Sequence, residues 1–226
     1  EECGAPLVDH PQVDCIALTG STQTGIAIGA QSMKHMRRCQ LELGGKSALL
    51  VLRDADPVKA AEIAAQGIFT HAGQICMANS RIVVEREIEQ AFLAALKTHC
   101  ENIQLGDLRD EKSRYGPLIN RSALEKVLAH IESALASGAT LLTGGEVEHG
   151  LTLQPTVVLE PARDSTLWRD ESFGPLASVV AVDDLEQAIA VANDSDFGLS
   201  AAVLTHNVQW GFTAAKQIRA GSVHIG

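Results

Sequence analysis

Short apolar runs alternate with helical patterns along this 226-residue chain. The runs at 13–19, 40–43, 47–52 and 81–85 are typical of β-strands, and further strands are predicted at 140–142, 157–159, 178–182, 201–204 and 222–225. Helical spacing predicts a helix that Ser21 or Thr22 could cap, a helix after Asp56, and helices at 88–103, 122–137, 185–193 and 208–219. This alternation indicates an α/β fold, with a mostly parallel sheet and flanking helices.

The composition excludes several classes of protein. Hydrophobic residues make up 46% of the chain, which is enough to bury a core. Acidic residues outnumber basic ones 28 to 18, so we expect neither nucleic acid nor an anionic membrane as a partner. No apolar run approaches the roughly 20 residues of a membrane-spanning helix. The chain has five cysteines, an odd number, and no two of them form a CxxC motif. This pattern argues against a disulfide framework and a metal site, and it indicates a reducing, cytoplasmic setting.

Four segments carry residues that are able to do chemistry. The first is 20–25, GSTQTG, between a predicted strand and a predicted helix. Its glycines allow close approach of a phosphate, and a helix N-terminus attracts anions. A P-loop needs Lys and Ser or Thr where Ile26 and Ala27 stand, so nucleotide hydrolysis is disfavoured. A plain strand-to-helix turn remains the alternative.

The other three segments contain a carboxylate or a thiol. Glu42 lies between Leu41 and Leu43, where desolvation would raise its pKa towards that of a general base. The alternative is a solvated face of an edge strand. Cys76, in 74–78, is predicted to close the Ala-rich helix; it is either a nucleophile or an inert buried thiol. Glu171, in 171–175, could accept hydrogen bonds from ribose hydroxyls or lie in a structural turn.

Together and in this order, GSTQTG, LELGGK, GQIC and ESFGP resemble the NAD(P)-dependent aldehyde dehydrogenase superfamily. The likeness covers essentially the whole chain, and Glu42 and Cys76 are 34 positions apart, as in that family. It implies an aldehyde dehydrogenase-like α/β fold truncated at both ends. Residues 1–44 would be the C-terminal part of the NAD(P)-binding Rossmann-like domain, and 45–226 most of the catalytic domain.

The resemblance also implies a role for each motif. Cys76 would attack an aldehyde, giving a thiohemiacetal and, after hydride transfer to NAD or NADP, an acyl thioester. Its backbone N–H would donate to the oxyanion, and Glu42 would activate the hydrolytic water. Ile75 and Met77 would line the substrate tunnel. The implied cofactor contacts are Gly20, Ser21, Gly25, Leu43, Gly44, Glu171 and Phe173.

The chain departs from the family pattern in several places. The oxyanion-hole asparagine and the adenosine half of the cofactor site would lie upstream of residue 1, so we expect the 226-residue chain alone to lack turnover. Ala123 stands where a glutamine often fixes the ribose, and Gly226 where an asparagine is common. Residues 46–48 lack the proline that usually follows the lysine. A full-length parent is expected to be a homo-oligomer.

Three alternative functions remain open. Transfer of the acyl group to coenzyme A is possible, although that reaction does not need Glu42. The others are a non-catalytic association module and a thiol-dependent esterase. The segments at 74–77 and 224–225 look most like members that act on aromatic aldehydes. The choice between NAD and NADP depends on a segment outside this sequence.

Overall fold

The computed structural model describes residues 3–226, which form two compact units. One unit ends at Gly44 and the other spans Gly45–Gly226. None of the helices in the described part of the chain has the length and apolar content needed to cross a membrane.

The first unit is a strand–helix–strand element preceded by a short helix. Its elements are α1 (Gly4–Asp9), β1 (Cys15–Thr19), α2 (Thr22–Met33) and β2 (Arg38–Glu42). The two strands pair in parallel, with Thr19 opposite Glu42. Of the two predicted caps, Ser21 is the one that caps α2, since its Oγ accepts the N–H of Thr24 at 3.2 Å. The sequence did not predict α1, which has six residues and buries none of them.

The second unit contains the remaining elements. The first of these are β3 (Ala48–Val51), α3 (Pro57–Phe69), a 3₁₀ turn (Thr70–Gly73), β4 (Arg81–Glu85) and α4 (Arg86–Glu101). Next come α5 (Arg121–Ala136), β5 (Thr140–Thr143), β6 (Val147–His149), β7 (Thr152–Leu153) and β8 (Thr156–Leu159). The last are α6 (Thr166–Arg169), β9 (Leu176–Val182), α7 (Leu185–Asn193), β10 (Ser200–Leu204), α8 (Val208–Gln217) and β11 (Ser222–Ile225).

A seven-stranded sheet organises this unit, in the order β11-β10-β3-β4-β9-β8-β5. Neighbouring strands are parallel except for β5, which runs antiparallel to β8. Successive side chains of β3 enter different cores, because a strand alternates its faces. Leu49 packs with residues of α3 and α4, whereas Leu50 packs with residues of α7 and α8. The α/β fold with a mostly parallel sheet is therefore confirmed.

The elements of the second unit that the sequence did not predict are short. They are the 3₁₀ turn, α6 and the antiparallel hairpin of β6 and β7. Each has four residues or fewer, so none completes the periodic pattern on which a sequence-based prediction depends.

Candidate active site

Cys76 lies in a turn between α3 and β4. The turn is closed by a hydrogen bond from the N–H of Ala78 to the carbonyl of Ile75, at 3.0 Å. Cys76 is half-buried, and its sulfur is a free thiol. The prediction that it closes the Ala-rich helix is wrong, because α3 ends at Phe69. Among the described residues, no acceptor is paired with the backbone N–H of Cys76, which leaves that donor available to a ligand.

Three consecutive left-handed residues redirect the chain between α3 and Cys76. They are His71 (φ 52°), Ala72 (φ 57°) and Gly73 (φ 69°). A residue with a Cβ, such as His71 or Ala72, is strained in the left-handed conformation, so contacts with the surrounding structure have to stabilise it. Gln74 contributes through both ends of its amide: Nε2 donates to the carbonyl of His71 at 3.3 Å, and Oε1 accepts the N–H of Ile119 at 2.9 Å.

Glycine is required where this turn meets two other segments. A Cβ on Gly73 would lie 2.0 Å from the carbonyl oxygen of Gly174, and a Cβ on Gly45 would lie 2.2 Å from that of Cys76. Within the second unit, the GQIC backbone therefore touches the backbone of Gly45 on one side and that of the ESFGP segment on the other. Of the two glycines, Gly44 is the one with a role predicted from the sequence, whereas the close contact in the structure is made by Gly45. The paired glycines were the available signal, but the partner that requires Gly45 is 31 residues away.

The segment 171–175 is fixed by both side-chain and backbone contacts. Oε1 of Glu171 accepts the N–H of Gly45 at 2.9 Å, and Nζ of Lys126 donates to the Glu171 carbonyl at 2.6 Å. No protein donor within the described chain is paired with Oε2 of Glu171, so that oxygen can accept a ligand hydroxyl. Phe173 has φ 51° and exposes 42% of its surface.

The predicted site residues of the first unit form their own group. The N–H of Gly20 donates to the carbonyl of Glu42 at 3.0 Å. A Cβ on Gly25 would lie 2.5 Å from Leu43, so this glycine makes room for that side chain. The Glu42 side chain is exposed, because β2 alternates its faces and turns Glu42 away from its leucine neighbour. The expected desolvation of Glu42 by its apolar neighbours is therefore wrong for this chain.

The first unit also offers an anion-binding helix N-terminus. No acceptor in the described chain is paired with the N–H groups of Thr22 and Gln23. Free N–H groups of this kind, at the start of a 12-residue helix, suit a phosphate. The start of α2 therefore fits a phosphate group. In the second unit, the free Oε2 of Glu171 separately fits a ligand hydroxyl such as that of a ribose.

The cysteines differ in their environments. Burial raises the pKa of Cys100 to about 12, so its thiol is inert at neutral pH. Cys3 and Cys15 are exposed, and Cys39 is half-buried. Cys76 differs from the other four because it lies in a turn that packs against backbone atoms at Gly45 and Gly73, where a side chain would not fit.

The family model for the aldehyde dehydrogenase family matches residues 1–226. The chain belongs to the aldehyde dehydrogenase family. It is 40% identical over 228 residues to a peroxisomal aminoaldehyde dehydrogenase 2 of Malus domestica, covering 99% of this chain and 45% of that relative. It is 42% identical to a betaine aldehyde dehydrogenase of Cereibacter sphaeroides, covering 98% and 46%.

Solved aldehyde dehydrogenases share the fold. The NAD+ complex of an aldehyde dehydrogenase from Bacillus cereus superposes with a TM-score of 0.94 at 38% identity, covering 98% of this chain and 46% of that structure. The chain thus spans about half the length of the aldehyde dehydrogenases it matches.

Proposed function

We propose that the protein containing this chain oxidises an aldehyde to a carboxylic acid with NAD or NADP, and that Cys76 is the nucleophile. One observation carries the proposal: a free, half-buried thiol in a turn whose position is set by backbone contacts from the two flanking motifs. Such contacts leave little freedom for the turn to move, which favours accurate placement of a nucleophile.

The proposed roles follow from the chemistry of the residues. The thiolate of Cys76 forms a C–S bond to the aldehyde carbon, while its free backbone N–H stabilises the oxyanion. The dinucleotide, when bound, supplies the hydride acceptor that converts the adduct to an acyl thioester. Glu42 then takes a proton from water as the water attacks the thioester, and cleavage of the C–S bond returns the thiolate.

The binding roles are proposed from the family resemblance, supported by the free N–H groups at the start of α2 and the free Oε2 of Glu171. The start of α2, with Gly20, Ser21 and Gly25, would hold the pyrophosphate. Leu43 and Gly44 would lie against the nicotinamide end. Glu171 and Phe173 would hold the ribose, and Ile75 and Met77 would line the substrate tunnel.

The domain assignment is part of the proposal. Residues 1–44 would complete an NAD(P)-binding domain, and 45–226 would form most of the catalytic domain. We propose that the 226-residue chain by itself does not turn over, and that a longer parent is active as a homo-oligomer.

Replacing Cys76 by Ala tests the proposed nucleophile. In a preparation that forms NADH from an aldehyde, C76A should abolish the reaction, because no C–S bond can form. The matched control is C100A, which removes a buried thiol that the chemistry does not use. NADH formation by C76A at the wild-type rate would reject Cys76 as the nucleophile.

Product analysis separates the competing reactions. Acid formed without coenzyme A supports hydrolysis, whereas a strict need for coenzyme A supports acyl transfer. Ester cleavage with no change in NADH absorbance supports the esterase. An aromatic aldehyde, an aminoaldehyde and betaine aldehyde, assayed in parallel, test the aromatic preference indicated by the sequence.

A further inference from the structure

Lys46 is a buried amine that the proposed chemistry does not use. Its side chain is 1% exposed, and Nζ donates to Oγ of Ser172 at 2.8 Å. Ser172 is itself 3% exposed. Burial, with the nearby charge of Arg81, lowers the pKa of Lys46 to about 7. A buried amine with a single hydrogen-bond partner destabilises a fold relative to an apolar residue of similar size, so its presence calls for a reason.

The residue next to Ser172 has an unfavourable backbone conformation. Phe173 has φ 51°, a region that bulky side chains rarely adopt, and 42% of the residue is exposed. Such a conformation persists only where both flanking residues are fixed. On the C-terminal side, a Cβ on Gly174 would lie 2.5 Å from Val127, so this glycine is held by packing. On the N-terminal side, the Lys46 bond holds Ser172.

We propose that Lys46 and Ser172 are positioning residues that keep Phe173 in its exposed, left-handed conformation and keep Glu171 available to the ribose of the cofactor. The inference rests on the proposed function, because it explains how Glu171 and Phe173 are held in place for the cofactor contacts proposed for them. Without the Lys46–Ser172 bond, segment 171–173 relaxes towards an ordinary φ and the Phe173 ring turns away. The turn of Cys76 meets this region through Gly73 at Gly174 and through Gly45 at Glu171, but no hydrogen bond within the described chain joins Ser172 or Phe173 to residues 75–80.

Hydrogen exchange of the 226-residue chain tests the structural half of the inference. In S172A we expect amide exchange in the peptide 171–176 to be at least about tenfold faster, with exchange in 75–80 unchanged. S172T, which retains a hydroxyl, should restore slow exchange. S133A is the matched control, because Ser133 is exposed on α5. K46M should reproduce S172A, with the exposed Lys112 changed to Met as its control. Unchanged exchange in folded S172A, or an equal rise in 75–80, would overturn the inference.

Kinetics test the functional half in the active enzyme. S172A should raise the KM for the dinucleotide about tenfold, while the rate at which iodoacetamide alkylates Cys76 stays at the wild-type value. If S172A has the wild-type KM for the dinucleotide and the enzyme still requires Cys76, the positioning role is rejected and the proposed function stands. Full activity of C76A rejects the proposed function, whatever the exchange data show.

Discussion

Replacing Gly45 by Ala perturbs the backbone approach that involves Cys76 itself. The added Cβ would lie 2.2 Å from the carbonyl oxygen of Cys76, whereas ordinary contacts begin at 3.4 Å. The Cys76 backbone must therefore withdraw by about 1.2 Å, because the obstructing atom is main chain and has no alternative rotamer. Overpacking of this kind costs about 1–3 kcal/mol of unfolding free energy. A displacement of about 1 Å at a reacting group lowers kcat on the order of 100-fold.

Urea unfolding and NADH formation measure these two effects for G45A. The control is G29A, in the interior of α2, where the nearest atom to the new Cβ is a methyl of Leu41 at 3.8 Å. Alanine favours a helix interior more than glycine, so G29A should raise the unfolding free energy by up to about 1 kcal/mol and leave kcat unchanged. If G45A unfolds within about 0.5 kcal/mol of the wild type and keeps its kcat, the contact does not position Cys76.

Three further predictions concern pH, capping and thiol reactivity. Burial, with the charges of Lys46 and Lys126, lowers the pKa of His130 to about 4. The unfolded chain then binds more protons below pH ~6.5, so the unfolding free energy should fall by about 2 kcal/mol from pH 7 to 5, and H130L should flatten that dependence in urea titrations. N120A removes the cap whose Oδ1 accepts the N–H of Ala123 at 2.8 Å; thermal unfolding should show a loss of about 1 kcal/mol, and an unchanged midpoint would mean that the cap contributes nothing. Peptide mass spectrometry of the native chain at pH 8 should show that iodoacetamide spares Cys100, and early labelling there would mean that its thiol is accessible.

The longer elements could be predicted from the sequence because their signals are local. Ser21 and Pro57 mark the starts of α2 and α3, and each lies where helix capping and first-turn preferences place it. Gly138, with φ 95°, follows the end of α5 as a C-terminal glycine should. These residues act within their own helical turns, so a single sequence is sufficient to identify them.

The contacts around Cys76 could not be predicted, because they join segments far apart in sequence. The sequence predicted Cys76 at a helix end, but the left-handed residues His71 and Ala72 carry no local signal that excludes a helix. The glycine that follows them, Gly73, packs on Gly174, which is 101 residues away. The exposure of Glu42, by contrast, follows from strand alternation that the sequence already contained.

Trapping the acyl enzyme tests the central claim most directly. An active preparation carrying E42Q should form the thioester but hydrolyse it slowly, because the residue proposed to activate water is gone. After incubation with an aldehyde and NAD and an acid quench, peptide mass spectrometry should find an adduct on Cys76 whose mass is that of the aldehyde minus two hydrogens. An adduct on another residue, or acid product accumulating with Cys76 unmodified at every time point, would contradict the account.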